Sequence, residues 1–285
     1  MKHAYLIIAH NEFDVLQQLI AALDDERNDI YLHIDKKVKS IPSIPMRYSK
    51  LFIVDKRVDV RWGDVSQIES EYVLFEQAFD NPENYTRYIL ISGTHLPLRP
   101  QSEINAFFEA HKEKEILSYL YTNSYEANFK IGRYHLFTKH FRDKNRLTQR
   151  GFQLFWHVAL KIQQLLDIKR DTTKITIKAN NWVCLTANAV EYIIKRKAEI
   201  LARFQHTLCG DEFFVPYLLE NSNGRFHLMN YDKLLFNDFQ GGNNPRLLTM
   251  NDYDFLMDSG FLFARKFSKE NMAVVNKITQ TIRKQ

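Results

Sequence analysis

Asp211 and Glu212 stand together at the head of an apolar run, DEFFVPYLLENS over 211–222. A carboxylate placed there has two readings. It can cap a helix, because the unpaired N–H groups and dipole of a first turn stabilise negative charge. It can also be a general base, taking a proton from an acceptor hydroxyl as that oxygen attacks a sugar anomeric carbon, chemistry that needs one acid at the mouth of a site. Arg246, Arg265 and Lys266 supply the opposite charge, and fixed cations of this kind can stabilise a departing nucleoside diphosphate in place of a metal. Their alternative is solvated surface charge, although Arg265 and Lys266 lie inside the aromatic run GFLFARKF, which disfavours free solvation of both.

Other polar positions carry weaker signals. Ser92 and Gly93 open the loop SGTHLPLRP, where a backbone turn could approach a ligand closely; an ordinary strand-to-helix connection fixed by its prolines is the alternative. Asp252-Tyr253-Asp254 is a literal D-x-D, able in principle to hold a divalent cation against a diphosphate. Its late polar setting points instead to capping at a helix start. Cys184 and Cys209 have no CxxC or Cys/His cluster near them, which argues against a disulfide framework or structural zinc.

The elements that must position these residues alternate. AYLIIAH (4–10), FDVLQQLIAAL (13–23) and DIYLHID (29–35) read as strand, helix and strand. Such a βαβ unit belongs to an α/β sheet, whose ligands gather at the carboxyl ends of strands, where His10, Asn11 and Asp35 fall. KLFIVDK (50–56) and TRYILISG (86–93) read as further strands. SQIESEYVLFEQAF (66–79) carries Ile68, Tyr72, Phe75 and Phe79 as a helical stripe. Ser102 is the expected N-cap of the next helix. Between 112 and 180 the pattern loosens into the basic, aromatic NFKIGRYHLFTKHFRDKNR and the apolar helix candidate FQLFWHVALKIQQLL (152–166). WVCLTANAVEYIIKR (182–196) is a strand leading into a helix, and a basic amphipathic helix follows GFLFARKF.

A chain of 285 residues with 45% hydrophobic and 26% charged residues can bury a sizeable core, which excludes disordered, collagen-like and coiled-coil classes. The net charge of +5 fits anionic partners or simply a basic surface. The basic segment 129–150 lacks RNP, zinc-finger and helix-turn-helix patterns, so no nucleic-acid partner is expected. No stretch approaches 18 consecutive apolar residues, and the N-terminal apolar run is too short for a secretory signal. The expectation is a cytoplasmic protein, at most peripheral to a membrane.

Taken in order, AYLIIAHN, DIYLHIDKK, VRWGDVSQIES, YILISGTHLPLRP, NWVCLTANAVEYII, CGDEFF and LFARKF resemble the core-2/I-branching β-1,6-N-acetylglucosaminyltransferase family, which includes the protein xylosyltransferases. These stretches span nearly the whole chain. The resemblance implies one glycosyltransferase domain over 1–285, with a nucleotide-binding half (1–110) and an acceptor side carrying the base and diphosphate-binding segment (111–285). The implied fold is α/β and GT-A-type, a central mostly parallel sheet flanked by helices. Also implied are inversion at the anomeric carbon, a UDP-sugar donor, N-acetylglucosamine by family name, and neither metal nor other cofactor.

Carried over by residue, Glu212 of CGDEFF is the base and Lys266 of ARKF a diphosphate contact. Arg246 shares that contact, with Arg265 in reserve. His10, Asp35, Trp62 and Gly63 form the uridine pocket, and Ser92 and Gly93 the cleft floor. His95 stands where relatives often have an acid. Arg133 and Tyr134 would form an acceptor wall. Eukaryotic relatives carry a membrane anchor, a stem and several disulfides. This chain looks instead like a bacterial cytoplasmic enzyme acting on a glycan or lipid-linked glycan, with Lys269, Lys277, Arg283 and Lys284 on the last helix favouring an anionic bilayer.

Overall fold

The N-terminal apolar run forms a strand buried along most of its length, as a central parallel strand must be. The computed structural model describes residues 2–143, 145–242 and 244–284, without the Lys284 side chain. Among them the strands are β1 (Lys2–Ala9), β2 (Asn28–Ile34), β3 (Lys50–Ile53), β4 (Tyr85–Ser92), β5 (Leu96–Pro97), β6 (Lys114–Leu117), β7 (Tyr119–Leu120), β8 (Lys178–Ala179), β9 (Cys184–Leu185), β10 (His227–Asn230), β11 (Leu235–Phe236) and β12 (Phe263–Ala264). The central sheet runs β10-β6-β9-β4-β1-β2-β3. Only β9 is antiparallel to its neighbours; the other pairs are parallel. This is the mostly parallel α/β arrangement that the resemblance implies.

Strand order reverses after β3, because β4 returns to the other side of β1. Right-handed crossovers then put helix Phe13–Leu23 and helix Ser66–Phe79 on opposite faces of the sheet. The first buries Val15, Leu16, Leu19, Ile20 and Leu23. The second buries Ile68, Tyr72 and Phe75, three of the four positions in the expected stripe. The reversal leaves a crevice between the carboxyl ends of β1 and β4, the usual ligand position in such sheets. A small sheet in the order β11-β12-β5 ties the C-terminal GFLFARKF segment to the loop after β4. Phe267 N–H donates to Thr94 O at 3.1 Å and Arg265 N–H to Phe236 O at 2.9 Å.

Two elements differ from their sequence reading. Helix Gln101–Ala110 starts from Pro100, whose fixed φ of −63° sets the boundary, so Ser102 lies inside the first turn and does not cap it. The apolar helix of the middle segment begins earlier and spans Arg146–Leu165, because Asn145 accepts from the N–H groups of Leu147 and Thr148. The closing helix Met272–Lys284 buries Val274, Val275, Ile278 and Ile282. Its apolar side is therefore occupied by the protein body, and Lys269, Lys277 and Arg283 remain exposed.

Candidate functional site

Strand register brings several of the candidate residues level. Ala9 pairs with Ile34 and Ile8 with Ser92, so His10, Asp35 and Gly93 emerge side by side. Asp35 N–H donates to Ala9 O and Gly93 N–H to Ile8 O, both at 2.9 Å. Gly93 packs so tightly on β1 that an added Cβ would stand 3.0 Å from Ala9 Cβ. Asp35 is buried, and Lys37 holds both its oxygens, the backbone N–H on Oδ1 and Nζ on Oδ2, each at 2.8 Å. His10 is exposed on the rim. Partial desolvation, Lys266, Lys37 and Arg265 push its pKa down against the opposing pull of Asp35.

Beneath the rim, Ser92 Oγ bonds His95 Nδ1 at 2.7 Å, and the buried His95 Nε2 has no partner. Burial first, then the Arg265 charge, holds His95 far below its usual range, so it is a neutral imidazole. Its ring meets Trp182 edge-on at 5.0 Å, and Arg265 lies over the same indole at 5.1 Å. Burial pushes the Arg265 pKa down to about 10, leaving it charged at neutral pH. Burial, then Arg265, lowers Lys266 as well. Among the described residues neither cation has a carboxylate within 4.0 Å or a side-chain hydrogen bond. Arg265 Nε is buried and unpartnered. Two half-buried cations side by side without counter-charge are costly unless an anion joins them.

Arg246 differs. Its guanidinium donates to Asp238 at 2.7 Å and to both oxygens of Asp252 at 2.5 and 2.9 Å. Asp252 also closes a capping box with Thr249. The first acid of the D-x-D is thus spent on a cap and an ion pair.

The acids of CGDEFF sit in a short 3-10 turn, Gly210–Glu212, and the helix that follows, Phe214–Glu220, has no side-chain cap. Neither Asp211 nor Glu212 performs the capping role. Glu212 Oε2 accepts from Lys130 Nζ at 2.8 Å and lies 3.5 Å from Lys178 Nζ, and both lysines also hold Glu126 Oε1, at 3.0 and 2.7 Å. Burial, the largest single influence, would lower the Lys130 pKa, but Glu212, Cys209 and Glu126 together outweigh it and the net shift is upward. Asp211 points inward. Gln67 Nε2 donates to its Oδ2 at 2.7 Å, while Gln67 Oε1 accepts from Gly63 N–H. Cys209 N–H donates to Gly63 O at 3.0 Å. The Trp62-Gly63 turn and the Glu212 turn are therefore clamped together.

The clamp needs glycine, because position 63 has φ +73° and a Cβ would lie 2.8 Å from Leu208 Cδ1. Asp211 Oδ1 and both oxygens of the buried Glu71 have no hydrogen bond. Burial and the neighbouring Glu212 charge raise Asp211 to about 7, and burial with Asp211 raises Glu71 further. Arg142 lies 4.3 Å over the Trp62 ring, lowers the Lys266 pKa through its charge, and is within electrostatic reach of Cys209.

The structure thus gathers His10, Asp35, Ser92, Gly93, Arg265 and Lys266 at the β1/β4 crevice, and Trp62 and Gly63 beside the Glu212 turn. Arg133 donates to Ile168 O at the end of helix Arg146–Leu165, and Tyr134 lies under Arg170 at 4.8 Å. Sequence reasoning missed Lys130, Lys178, Arg142, Gln67 and the Glu71/Asp211 pair. The i,i+4 spacing of Glu126 and Lys130 was a visible signal for an ion pair, though not for its extension to Glu212. A surface groove of about 590 Å³ lined by Asp24, Arg27, Arg47, Tyr48 and Arg283 includes none of the residues expected to bind the nucleotide sugar or to act as base.

A family model described as "Core-2/I-Branching enzyme" matches residues 3–251. The chain belongs to that family of glycosyltransferases. No curated protein matches it. Similar solved structures include mouse xyloside xylosyltransferase 1 in apo form, 9% identical with TM-score 0.40, covering 92% of this chain and 96% of that one. The 4-diphosphocytidyl-2C-methyl-D-erythritol synthase from Anaerococcus prevotii is 11% identical with TM-score 0.39, covering 90% and 96%. The apo-form glycosyltransferase GlyE of Streptococcus pneumoniae is 11% identical with TM-score 0.41, covering 98% of this chain and 60% of that one.

Proposed function

We propose that this member of the core-2/I-branching enzyme family is an inverting transferase that moves a sugar from a UDP-sugar to a glycan hydroxyl in one displacement. Glu212 takes the hydroxyl proton as the oxygen attacks the anomeric carbon, and the bond to UDP breaks. Arg265 and Lys266 take up the charge on the departing diphosphate, with Arg246 as a further contact once it leaves its acidic partners. His10, Asp35, Trp62 and Gly63 hold the nucleoside end, and Ser92 and Gly93 floor the cleft. N-acetylglucosamine is the donor sugar in this reading, with xylose and galactose as the family alternatives, and no metal takes part. A lipid-linked acceptor and peripheral contact with an anionic membrane from the cytoplasmic side complete it.

The observation that carries the reading is the pair Arg265 and Lys266, half-buried at the carboxyl edge of a mostly parallel sheet with no carboxylate within 4.0 Å among the described residues. A panel of UDP-sugars with a generic acceptor, read by mass spectrometry with and without EDTA, tests it. Transfer from one donor, unchanged by EDTA, is expected; strict dependence on added manganese would overturn the metal-free step. The ion pairs that hold Glu212 to Lys130 and Lys178 favour a second reading, a non-catalytic sugar-nucleotide binder. UDP-sugar binding with neither transfer nor hydrolysis would select it.

A further inference from the structure

Helix Arg146–Leu165 is divided lengthwise into three sectors. One faces the body: Gln163 is buried, Phe152 stacks on His140, and Trp156 meets Phe141 edge-on at 5.0 Å. At ~100° per residue, Leu147, Leu154, Phe155, Val158, Ile162 and Leu165 share an adjoining arc of roughly 100°. All six are exposed, from 47% for Val158 to 84% for Leu165. Phe137, itself exposed, continues this surface beside Phe155 at 6.0 Å. The third sector borders the far side of the apolar arc with Arg146, Arg150 and Lys161, all exposed. The helix contains no Asp or Glu. The acids just outside it are engaged, Asp143 by His140 and Asp167 by Lys169.

We propose that this face lies on an anionic phospholipid surface, with the helix in the plane of the interface. The inference deepens the membrane contact of the proposed function, rests on that reading, and moves the contact from the C-terminal helix to this one. An apolar arc with a basic border and no acid is the pattern that inserts between headgroups while its cations meet lipid phosphates. No helix among the described residues is long and apolar enough to cross a membrane, so the face lies on the bilayer. A second copy of the chain fits less well, because face-to-face pairing would bring two basic borders together with no acid on either helix to meet them. The body side of the helix packs through Trp156 on Phe141, Leu208 and Cys209. Docking therefore holds the Glu212 turn close to the bilayer, where a lipid-linked acceptor would be presented.

Sedimentation of the full chain with vesicles tests this without turnover. Vesicles of phosphatidylglycerol and phosphatidylcholine should bind about tenfold more protein than phosphatidylcholine alone. Leu154→Gln/Phe155→Ser/Val158→Gln should lower that binding at least about tenfold, with thermal unfolding and transfer to a soluble acceptor unchanged. Arg150→Gln/Lys161→Gln should remove the preference for anionic vesicles. The proposal is overturned if the wild type stays in solution with anionic vesicles or if the triple variant sediments as the wild type does. It is equally overturned if the wild type is a lipid-free dimer that the triple variant dissociates. Lack of sugar transfer would refute the transferase reading and leave the vesicle result standing.

Discussion

The two sides of the site handle charge in opposite ways. On the proposed donor side Arg265 and Lys266 have no carboxylate within 4.0 Å among the described residues; burial lowers both pKa values, and the Arg265 charge lowers Lys266 further. On the proposed base side Glu126, Lys130, Lys178 and Glu212 neutralise one another. Burying unpaired cations is unfavourable in the empty protein and becomes favourable when a dianion arrives. A closed ion-pair cluster has the reverse property: its charges are already satisfied, and with Glu212 as the base proposed above an acceptor hydroxyl would have to compete with Lys130 for the carboxylate. On the assignment proposed above, the difference favours the anionic donor as the first ligand. It predicts that UDP binds first and that acceptor entry rearranges the lysines.

The largest expected effect breaks the base side. Glu212→Gln keeps the shape but cannot take a proton, so transfer should fall by about 10³ or more while the Kd for UDP changes little. A loss confined to KM would instead make Glu212 a binding residue. Next comes the donor side. Lys266→Ala should weaken UDP binding by about 10- to 100-fold, as expected for one charge-assisted contact to a phosphate, and calorimetry at low and high salt should show a shallower salt dependence. The same variant should raise thermal stability of the empty protein slightly, because one uncompensated cation is gone. If UDP affinity is unchanged, the open-cation side is not the diphosphate site and the comparison fails.

The asymmetry was only half legible in the sequence. The donor edge follows from local pattern: an apolar run, then a polar residue where the strand ends, as at Ala9-His10 and Ile34-Asp35. Strand register does the rest, since parallel pairing aligns the ends. The base side depends on contacts that no window contains. Lys130 and Glu212 are 82 positions apart, and Gln67 and Asp211 are 144 apart. The helix-head reading of Asp211 and Glu212 assumed a regular first turn, whereas Cys209 at φ 53° starts a separate 3-10 turn that turns the acids away from the helix end. In the segment 146–165 periodicity identified which residues share a face, but whether another element covers that face is decided elsewhere in the chain.

The smallest effect is in stability, and it probes how the base side is anchored. Asp211 is buried with its pKa raised to about 7, next to the unpaired Glu71, so the folded protein holds a proton there that the unfolded chain has already released above about pH 4. A carboxyl raised in this way contributes stability that is fully present below the unfolded value and is lost as pH rises towards the folded one. The wild type should therefore lose stability between about pH 5 and pH 7, with a slope of at most ~1.4 kcal/mol per pH unit for one proton. Asp211→Asn keeps an acceptor for Gln67 but cannot ionise. Its urea midpoint should fall less over the same interval, the residual slope belonging to Glu71. Equal slopes for the two proteins would mean that Asp211 is ionised in the fold, and the contrast between a self-neutralised base side and an open donor side would then lose its buried anchor.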